Sequence, residues 1–166
     1  MGGQLGSVLF VCLFLGGVAQ PPHHVAPNSS FRCNTGYTER DCNVQLGILR
    51  RVLGAMDLTP LGQWTWVLVK SDDWKPILHR VHRDPDSPAF TILEKRQIFL
   101  EEALFNPRPD RARTLIAKWR MPLDELLPFS VGHELGHALC EEVDEKKANE
   151  YGAQFRDMAT IRCVPR

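Results

Sequence analysis

Residues 131–140 read VGHELGHALC, in which His133 and His137 stand four positions apart and Glu134 follows the first histidine. Positions four apart lie one turn apart on the same helix face, so both imidazole rings can reach one ion. The flanking residues are apolar or small, whereas a surface helix would carry charged residues. The sequence therefore predicts a helix that is buried in the centre of the domain and ends near residue 140.

The acidic residue inside this pattern has a chemical use. Glu134 projects beside the face that carries the histidines, where it can take a proton from water that zinc has acidified to a pKa of about 7. The pattern His-Glu-x-x-His thus supplies two metal ligands and a base, which indicates a zinc-dependent hydrolase. The competing interpretation is a core helix with two hydrogen-bonded histidines. Each buried imidazole then requires a separate partner, whereas one metal ion serves both.

A catalytic zinc site requires a third protein ligand and one open position. A third histidine six residues after His137 would be one solution, but Val143 stands there. Residues 144–152 read DEKKANEYG and belong to a further helix that we expect to extend to residue 158. Glu145 and Asn149 are four apart on one face of that helix, which makes Glu145 a candidate third ligand.

Other residues near the end of the buried helix remain candidate ligands. Glu141, Glu142 and Asp144 are acidic alternatives to Glu145. Cys140 lies on the same helix face as the two histidines, and its thiolate would close the site as a structural zinc centre. In an oxidising compartment, a disulfide bond is the favoured state of this cysteine.

The sequence HELGH followed by Glu-x-x-Ala-Asn resembles the gluzincin group of zincin-like metallopeptidases and is similar to the ImmA/IrrE-type peptidases. The resemblance covers residues 130–155. It implies that Glu145 is the third zinc ligand, that Asn149 orients a ligand histidine, and that the substrate is a peptide or protein. Only seven residues separate His137 from Glu145. The chain must therefore reverse its direction within about three residues between the two helices.

Two short segments before the buried helix have the composition of β-strands. Residues 89–93 and 97–100 are separated only by Glu94, Lys95 and Arg96, and this spacing predicts a β-hairpin. An edge strand in zincin folds typically pairs with an extended peptide substrate, so the resemblance makes either segment a candidate substrate-binding strand. The sequence leaves open which of them lies at the edge.

The rest of the domain combines helices with one further strand. Residues 64–69 (WTWVLV) form a β-rich run, and the helical spacing of apolar residues predicts a helix over 44–56. Two more helices are expected, one at 74–81 with Asp72 or Asp73 as its cap and one from about Asp110 to residue 119. This order predicts an α+β domain with one small antiparallel or mixed sheet, followed by the active-site and ligand helices.

The N-terminal part of the chain is typical of an exported protein. Residues 8–15 (VLFVCLFL) form an apolar run that is too short to span a bilayer, and small residues precede Gln20. We interpret residues 1–19 as a signal peptide, residues 20–31 as a flexible leader rich in Pro, His and Ser, and residues 32–166 as the metallopeptidase domain. This interpretation predicts a periplasmic or secreted protein.

Four cysteines follow the signal peptide, namely Cys33, Cys42, Cys140 and Cys163. An even number in an exported chain favours disulfide bonds over free thiols, and four cysteines allow three connectivities. Proximity in the sequence favours Cys33–Cys42 and Cys140–Cys163. The second bond would tie the C-terminus to the end of the buried helix.

The chain contains 20 Lys plus Arg and 20 Asp plus Glu, so its formal net charge is zero. A neutral chain has no electrostatic footprint for nucleic acid or for an anionic membrane surface, and neither is an expected partner once the signal peptide is removed. His79, His82 and the hydroxyl of Tyr151 are further candidates for contact with a substrate or an oxyanion. The sequence favours a peptidase with one zinc ion; a non-catalytic exported domain stabilised by zinc or disulfide bonds is the alternative.

Overall fold

The structure is a computed structural model that describes residues 29–164. The signal peptide predicted at residues 1–19 and the leader before residue 29 lie outside the described residues. Within residues 29–164, no helix is long and apolar enough to cross a membrane. The strands and helices follow in the order β1 Ser30–Cys33, α1 Glu39–Leu53, β2 Thr65–Val69, α2 Ser71–Arg80, β3 Ala89–Ile92, β4 Gln97–Glu101, α3 Pro109–Trp119, α4 Leu123–Cys140 and α5 Glu145–Met158.

The four strands form one mixed sheet in the order β1-β2-β4-β3. β1 and β4 are both parallel to β2, and β3 is antiparallel to β4. The expected α+β class and the hairpin of β3 and β4 are therefore confirmed. β3 lies at an edge of the sheet, which answers the question that the sequence left open.

The first strand is an element that the sequence does not predict. Ser30 and Phe31, which the sequence assigns to the leader, begin β1, and the Ser30 backbone N–H donates to the Trp64 carbonyl at 2.8 Å. The four residues SFRC are all exposed or half-buried. The segment alternates polar and apolar residues, but four residues next to a leader rich in Pro, His and Ser are too few to distinguish a strand from a loop.

The helix starts also differ from the sequence expectations. α1 begins at Glu39, five residues before the expected start, because the Thr38 side chain caps it by accepting a hydrogen bond from the Asp41 N–H at 3.1 Å. α2 begins before the two aspartates that we expected to cap it, and α3 begins at Pro109, so Asp110 is not its cap. These three carboxylates lie in the first turns instead, where the helix dipole also favours a negative charge.

α4 is the central helix of the domain. Its residues Val131 and Leu135 are fully buried in a core that also contains Trp66 and Leu68 of the sheet. A second, smaller cluster forms where Trp74 of α2 packs with side chains of β2 and β3. The sheet is thereby covered from both sides, and α4 lies next to the edge strand β3.

Glycines allow α5 to approach α4 very closely. A Cβ atom at Gly132 would lie 2.3 Å from the Phe155 Cβ, and one at Gly136 would lie 2.6 Å from the Tyr151 Cδ2. Glycine costs about 1 kcal/mol in a helix interior relative to alanine, so its presence here is explained by packing. The close contact of the two helices brings the start of α5 towards the histidines of α4.

Both disulfide bonds favoured by sequence proximity are confirmed. Cys33–Cys42 joins β1 to α1, and Cys140–Cys163 joins the last residue of α4 to the C-terminal tail. The second bond fixes the tail beside the end of the helix that carries the histidines.

Candidate metal centre

Three side chains from α4 and α5 converge on one point. The Nε2 atoms of His133 and His137 are 3.1 Å apart, and the Glu145 Oε2 lies 3.1 Å from the first and 3.7 Å from the second. Around a tetrahedral zinc with bonds of about 2.0–2.1 Å, neighbouring ligand atoms lie about 3.3 Å apart. The three atoms therefore have the spacing of ligands to a single ion.

Hydrogen bonds on the far side of each ring fix the orientation of the histidines. His133 Nδ1–H donates to Asn149 Oδ1 at 3.0 Å, and His137 Nδ1–H donates to the Glu142 carbonyl at 2.5 Å. With a proton on each Nδ1, the two Nε2 atoms present lone pairs to one another and to the Glu145 carboxylate. In this neutral form three electron-rich atoms face one another, and either a proton on His133 Nε2 or a metal ion between the three atoms relieves the repulsion. The donor set therefore fits a metal ion.

The short reversal between α4 and α5 is built from acidic residues. Glu141 ends α4 in the left-handed conformation (φ 49°), and the Glu142 Oε1 accepts hydrogen bonds from the N–H groups of Val143 and Asp144, both at 3.0 Å. Asp144 caps α5 by accepting from two backbone N–H groups. The carboxylates of Glu142 and Asp144 thus stabilise the turn, and the converging group contains Glu145 instead.

Cys140 is excluded as a fourth ligand. Its sulfur is bonded to Cys163, so it offers no thiolate to a metal. Among residues 29–164, the group of His, Cys, Asp and Glu side chains that can hold one ion is His133, His137 and Glu145. The Glu145 side chain is 64 % exposed, which leaves the group open to solvent on that side.

Glu134 is buried next to this group, with 3 % of its surface exposed. Its Oε2 accepts a hydrogen bond from the Thr91 hydroxyl of β3 at 2.6 Å. Burial raises the pKa of Glu134, although the neighbouring histidines and Thr91 act in the opposite direction. Thr91 is a site residue that the sequence analysis missed, because nothing in the sequence links it to a residue 43 positions later.

The charges of the ligand side chains also influence one another. A hydrogen bond with His133 lowers the pKa of Glu145. Burial alone would lower the pKa of His133, but the carboxylates of Glu145 and Glu134 outweigh it and raise this pKa. Glu145 is therefore present as the carboxylate, the form in which it can bind a metal.

The three side chains face a cleft of about 520 Å³, which we call the metal-centre cleft. One wall is the edge strand β3, and another is the loop between α2 and β3, which contributes His82 and Arg83. The Arg83 guanidinium lies 3.9 Å from Glu145 Oε1 and 3.5 Å from the Thr91 carbonyl. His79 lies in the last turn of α2 and is not among the residues that line this cleft.

The loop that carries Arg83 is anchored at three places. The Trp74 indole N–H donates to the Ser87 carbonyl at 2.7 Å, and Lys118 contacts Asp84 at 2.5 Å. Arg111 lies 3.4 Å from Asp86. This wall of the cleft is therefore held in place by α2 and α3.

Tyr151 does not reach the cleft. Its side chain is buried, with 2 % exposed, and its hydroxyl accepts a hydrogen bond from the Val164 N–H at 3.2 Å. Its ring packs against Gly136 on the side of α4 that faces α5. The structure therefore gives no support to contact between Tyr151 and an oxyanion.

Comparison with protein-family models, with curated proteins and with solved structures finds no match to this chain. The chemistry of the cleft residues is thus the basis for a functional proposal.

Proposed function

We propose that the chain is an exported zinc-dependent peptidase of gluzincin type. His133, His137 and Glu145 hold one zinc ion, and Glu134 is the catalytic base. The observation that carries this proposal is the set of three donor atoms 3.1–3.7 Å apart. The same cleft also contains the buried carboxylate of Glu134, which lies on the helix that carries the two histidines. The resemblance of HELGH and Glu-x-x-Ala-Asn to gluzincins supports the same assignment.

A zinc ion in this position would lower the pKa of a water molecule to about 7 and polarise a substrate carbonyl group. Glu134 accepts a proton from the attacking water and returns it to the leaving amine. The Thr91 hydroxyl holds one carboxylate oxygen of Glu134 in place, which leaves the other oxygen for this transfer. Burial suits the role, because a base with a raised pKa holds the proton until the leaving group takes it.

The outer edge of β3 is suited to bind an extended peptide. The Ser87 hydroxyl donates to the Ala89 carbonyl at 2.6 Å, and Arg83 donates to the Thr91 carbonyl at 3.5 Å. Both carbonyls therefore point away from β4, towards the cleft side of the sheet edge. A peptide that pairs with this edge displaces the long contact from Arg83, whose guanidinium is then available for a substrate carbonyl oxygen.

Two features support export. The N-terminal sequence has the pattern of a signal peptide, and the chain forms two disulfide bonds. Disulfide bonds persist in oxidising compartments such as the periplasm or the extracellular space. Export is part of the same proposal.

The alternative is a non-catalytic exported domain in which zinc only stabilises the fold. Such a site is normally closed by a fourth protein ligand. The residue best placed for that role, Cys140, is held in a disulfide bond. A three-ligand site that faces a cleft favours catalysis.

The proposal is tested by Glu134→Gln in the zinc-loaded protein, with cleavage of a peptide library followed by mass spectrometry. We expect turnover to fall by about 10²–10⁴-fold, because general base catalysis contributes that much, while one zinc ion per chain and the circular dichroism spectrum are retained. Glu125→Gln on the same helix is the matched control, since the Glu125 side chain is 48 % exposed and pairs only with Arg156 among the described residues. Full activity in Glu134→Gln, or no cleavage by wild-type protein that holds one zinc ion, contradicts the proposal.

A further inference from the structure

A second cleft of about 800 Å³ adjoins the metal-centre cleft. Leu93, Glu142 and Val143 line both clefts. The two clefts therefore adjoin at these three residues, and we call both clefts together the groove.

The groove follows the edge strand and passes the metal centre. The metal-centre cleft begins beside Ser87 and Ala89, and Thr91 contacts Glu134 in its middle. Leu93 directly follows β3, and the second cleft continues from there to Arg96. The groove therefore extends along β3 on both sides of the point where Glu134 lies.

The second cleft has exposed aliphatic side chains at its rim. Val143 is 77 % exposed and Val164 is 66 % exposed, and both line this cleft together with Leu61 and Trp64. The exposed fractions of these two valines are the largest among the exposed large hydrophobic residues of the described chain. Charged residues line other parts of the same cleft, namely Arg96, Glu141, Glu142 and Lys147, so the exposed apolar surface is confined to the part of the rim formed by Val143 and Val164.

The wall that contains Val164 is fixed to the helix that carries the histidines. Cys163 is bonded to Cys140, and the Val164 N–H donates to the Tyr151 hydroxyl at 3.2 Å. The C-terminal tail thus has a defined position beside α4, where Val164 forms part of the wall of the second cleft.

We propose that the chain is an endopeptidase for extended polypeptide segments, and that the second cleft binds apolar side chains on the amino side of the scissile bond. This inference rests on the proposed peptidase function. A peptide strand that pairs antiparallel to β3 runs from beyond Ile92 towards Ala89, so its amino-terminal part lies in the second cleft. A groove that continues on both sides of Glu134 accepts an internal segment of a chain, whereas an exopeptidase requires a site for a terminal amine or carboxylate.

The first experiment uses zinc-loaded wild-type protein and peptides of about ten residues. The peptides are acetylated at the N-terminus and amidated at the C-terminus, with Leu or Val two and three residues before the cleavage site. We expect internal cleavage, and we expect kcat/KM to fall about tenfold or more when the amino side is shortened to one residue or when Asp replaces the apolar residues.

The outcomes separate the two proposals. If only peptides with free termini are cut, and only single terminal residues are released, the endopeptidase inference is overturned while the peptidase function stands. If protein that holds one zinc ion cuts no peptide at all, the proposed function itself is wrong.

The second experiment compares Val164→Asp with Val44→Asp. Val44 is 57 % exposed on α1 and lines neither cleft, so it is a matched control. We expect Val164→Asp to lower kcat/KM about tenfold for peptides with apolar residues on the amino side and to leave the shortened peptides unaffected. Zinc content should stay at one per chain in both variants. If Val164→Asp behaves like Val44→Asp on the long peptides, the second cleft is not part of the substrate site.

Discussion

Two clusters of ionisable side chains among residues 29–164 differ in how their charges are balanced. In the first, Arg111 donates from Nε to Glu101 Oε1 at 3.0 Å and from Nη2 to Glu101 Oε2 at 2.6 Å, with both residues at most 8 % exposed. In the second, the Nε2 atoms of His133 and His137 face the Glu145 carboxylate at 3.1 and 3.7 Å. The first cluster pairs a cation with an anion, whereas the second brings acceptors together.

This difference separates a structural cluster from a binding site. The guanidinium and carboxylate of Arg111 and Glu101 satisfy one another and hold the end of β4 against α3. The histidine cluster is satisfied when a proton or a metal ion joins it, because nitrogen acceptors that are removed from water without a donor or a metal are costly. Buried polar groups that do not satisfy one another are therefore the better guide to function.

The largest effect should come from removal of one partner of the balanced cluster. Arg111→Met leaves the Glu101 carboxylate buried without a cation, and we expect the free energy of unfolding to fall by about 3–5 kcal/mol. Urea denaturation measures this loss. Zinc stoichiometry should stay at one per chain, because Arg111 does not contact the metal centre.

Arg113→Met is the matched control for Arg111→Met. Arg113 is exposed on the same helix, so we expect a change within about 0.5 kcal/mol. Equal stability of Arg111→Met and wild type would show that the Glu101–Arg111 pair is not a structural requirement. The contrast between a structural cluster and a binding site would then be wrong.

A smaller effect is expected when the hydrogen-bond partner of His133 Nδ1, the ring nitrogen that faces away from the metal centre, is removed. Asn149→Ala removes the acceptor that orients His133, and we expect zinc affinity to fall about 10–100-fold. Competition with a zinc chelator measures the affinity. Gln154→Ala on the same helix is the control, because its side chain accepts from Arg162 N–H and lies outside the converging group. Unchanged zinc affinity in Asn149→Ala would contradict an orienting role for this residue.

The smallest effect concerns the exposed pair of Lys118 and Asp84, which anchors the loop that carries Arg83. The hydrogen bond from Lys118 lowers the pKa of Asp84 in the folded state. A lowered pKa means that the pair contributes stability above the unfolded pKa of about 3.9, and that this contribution is lost as pH falls through the folded pKa.

Lys118→Met should therefore cost less than about 1 kcal/mol at pH 7, because both side chains are partly exposed to solvent. The difference from wild type should vanish below the folded pKa of Asp84. Urea denaturation at a series of pH values measures this dependence, and a difference that grows on acidification would show that the pair does not act through the Asp84 carboxylate.

The residues that could be recognised in the sequence are those linked by short helical spacing. His133, His137, Glu145 and Asn149 lie within two consecutive helices, and the separation of four residues within each pair places the pair on a common face. The hairpin and the two disulfide bonds were also predictable, because their partners are close in the chain.

The contacts that escaped prediction depend on tertiary packing, which no regular spacing in the sequence reports. Thr91 meets Glu134 only because the edge strand packs beside α4, and Glu101 meets Arg111 only because β4 ends against α3. β1 was missed because its alternation of polar and apolar residues extends over only four positions and it pairs with a strand more than 30 residues later. Tyr151 was assigned to the site because it lies on the ligand helix, but it is six residues after Glu145 and therefore points to a different face.

The central claim is that three side chains bind one zinc ion with a position left for water, and anomalous diffraction at the zinc edge from crystals of the full chain tests it most directly. We predict one peak between His133 Nε2, His137 Nε2 and the Glu145 carboxylate, with bonds of about 2.0–2.2 Å and a solvent-facing fourth position. A peak elsewhere, no peak after zinc saturation, or a fourth protein ligand that closes the site would contradict the account.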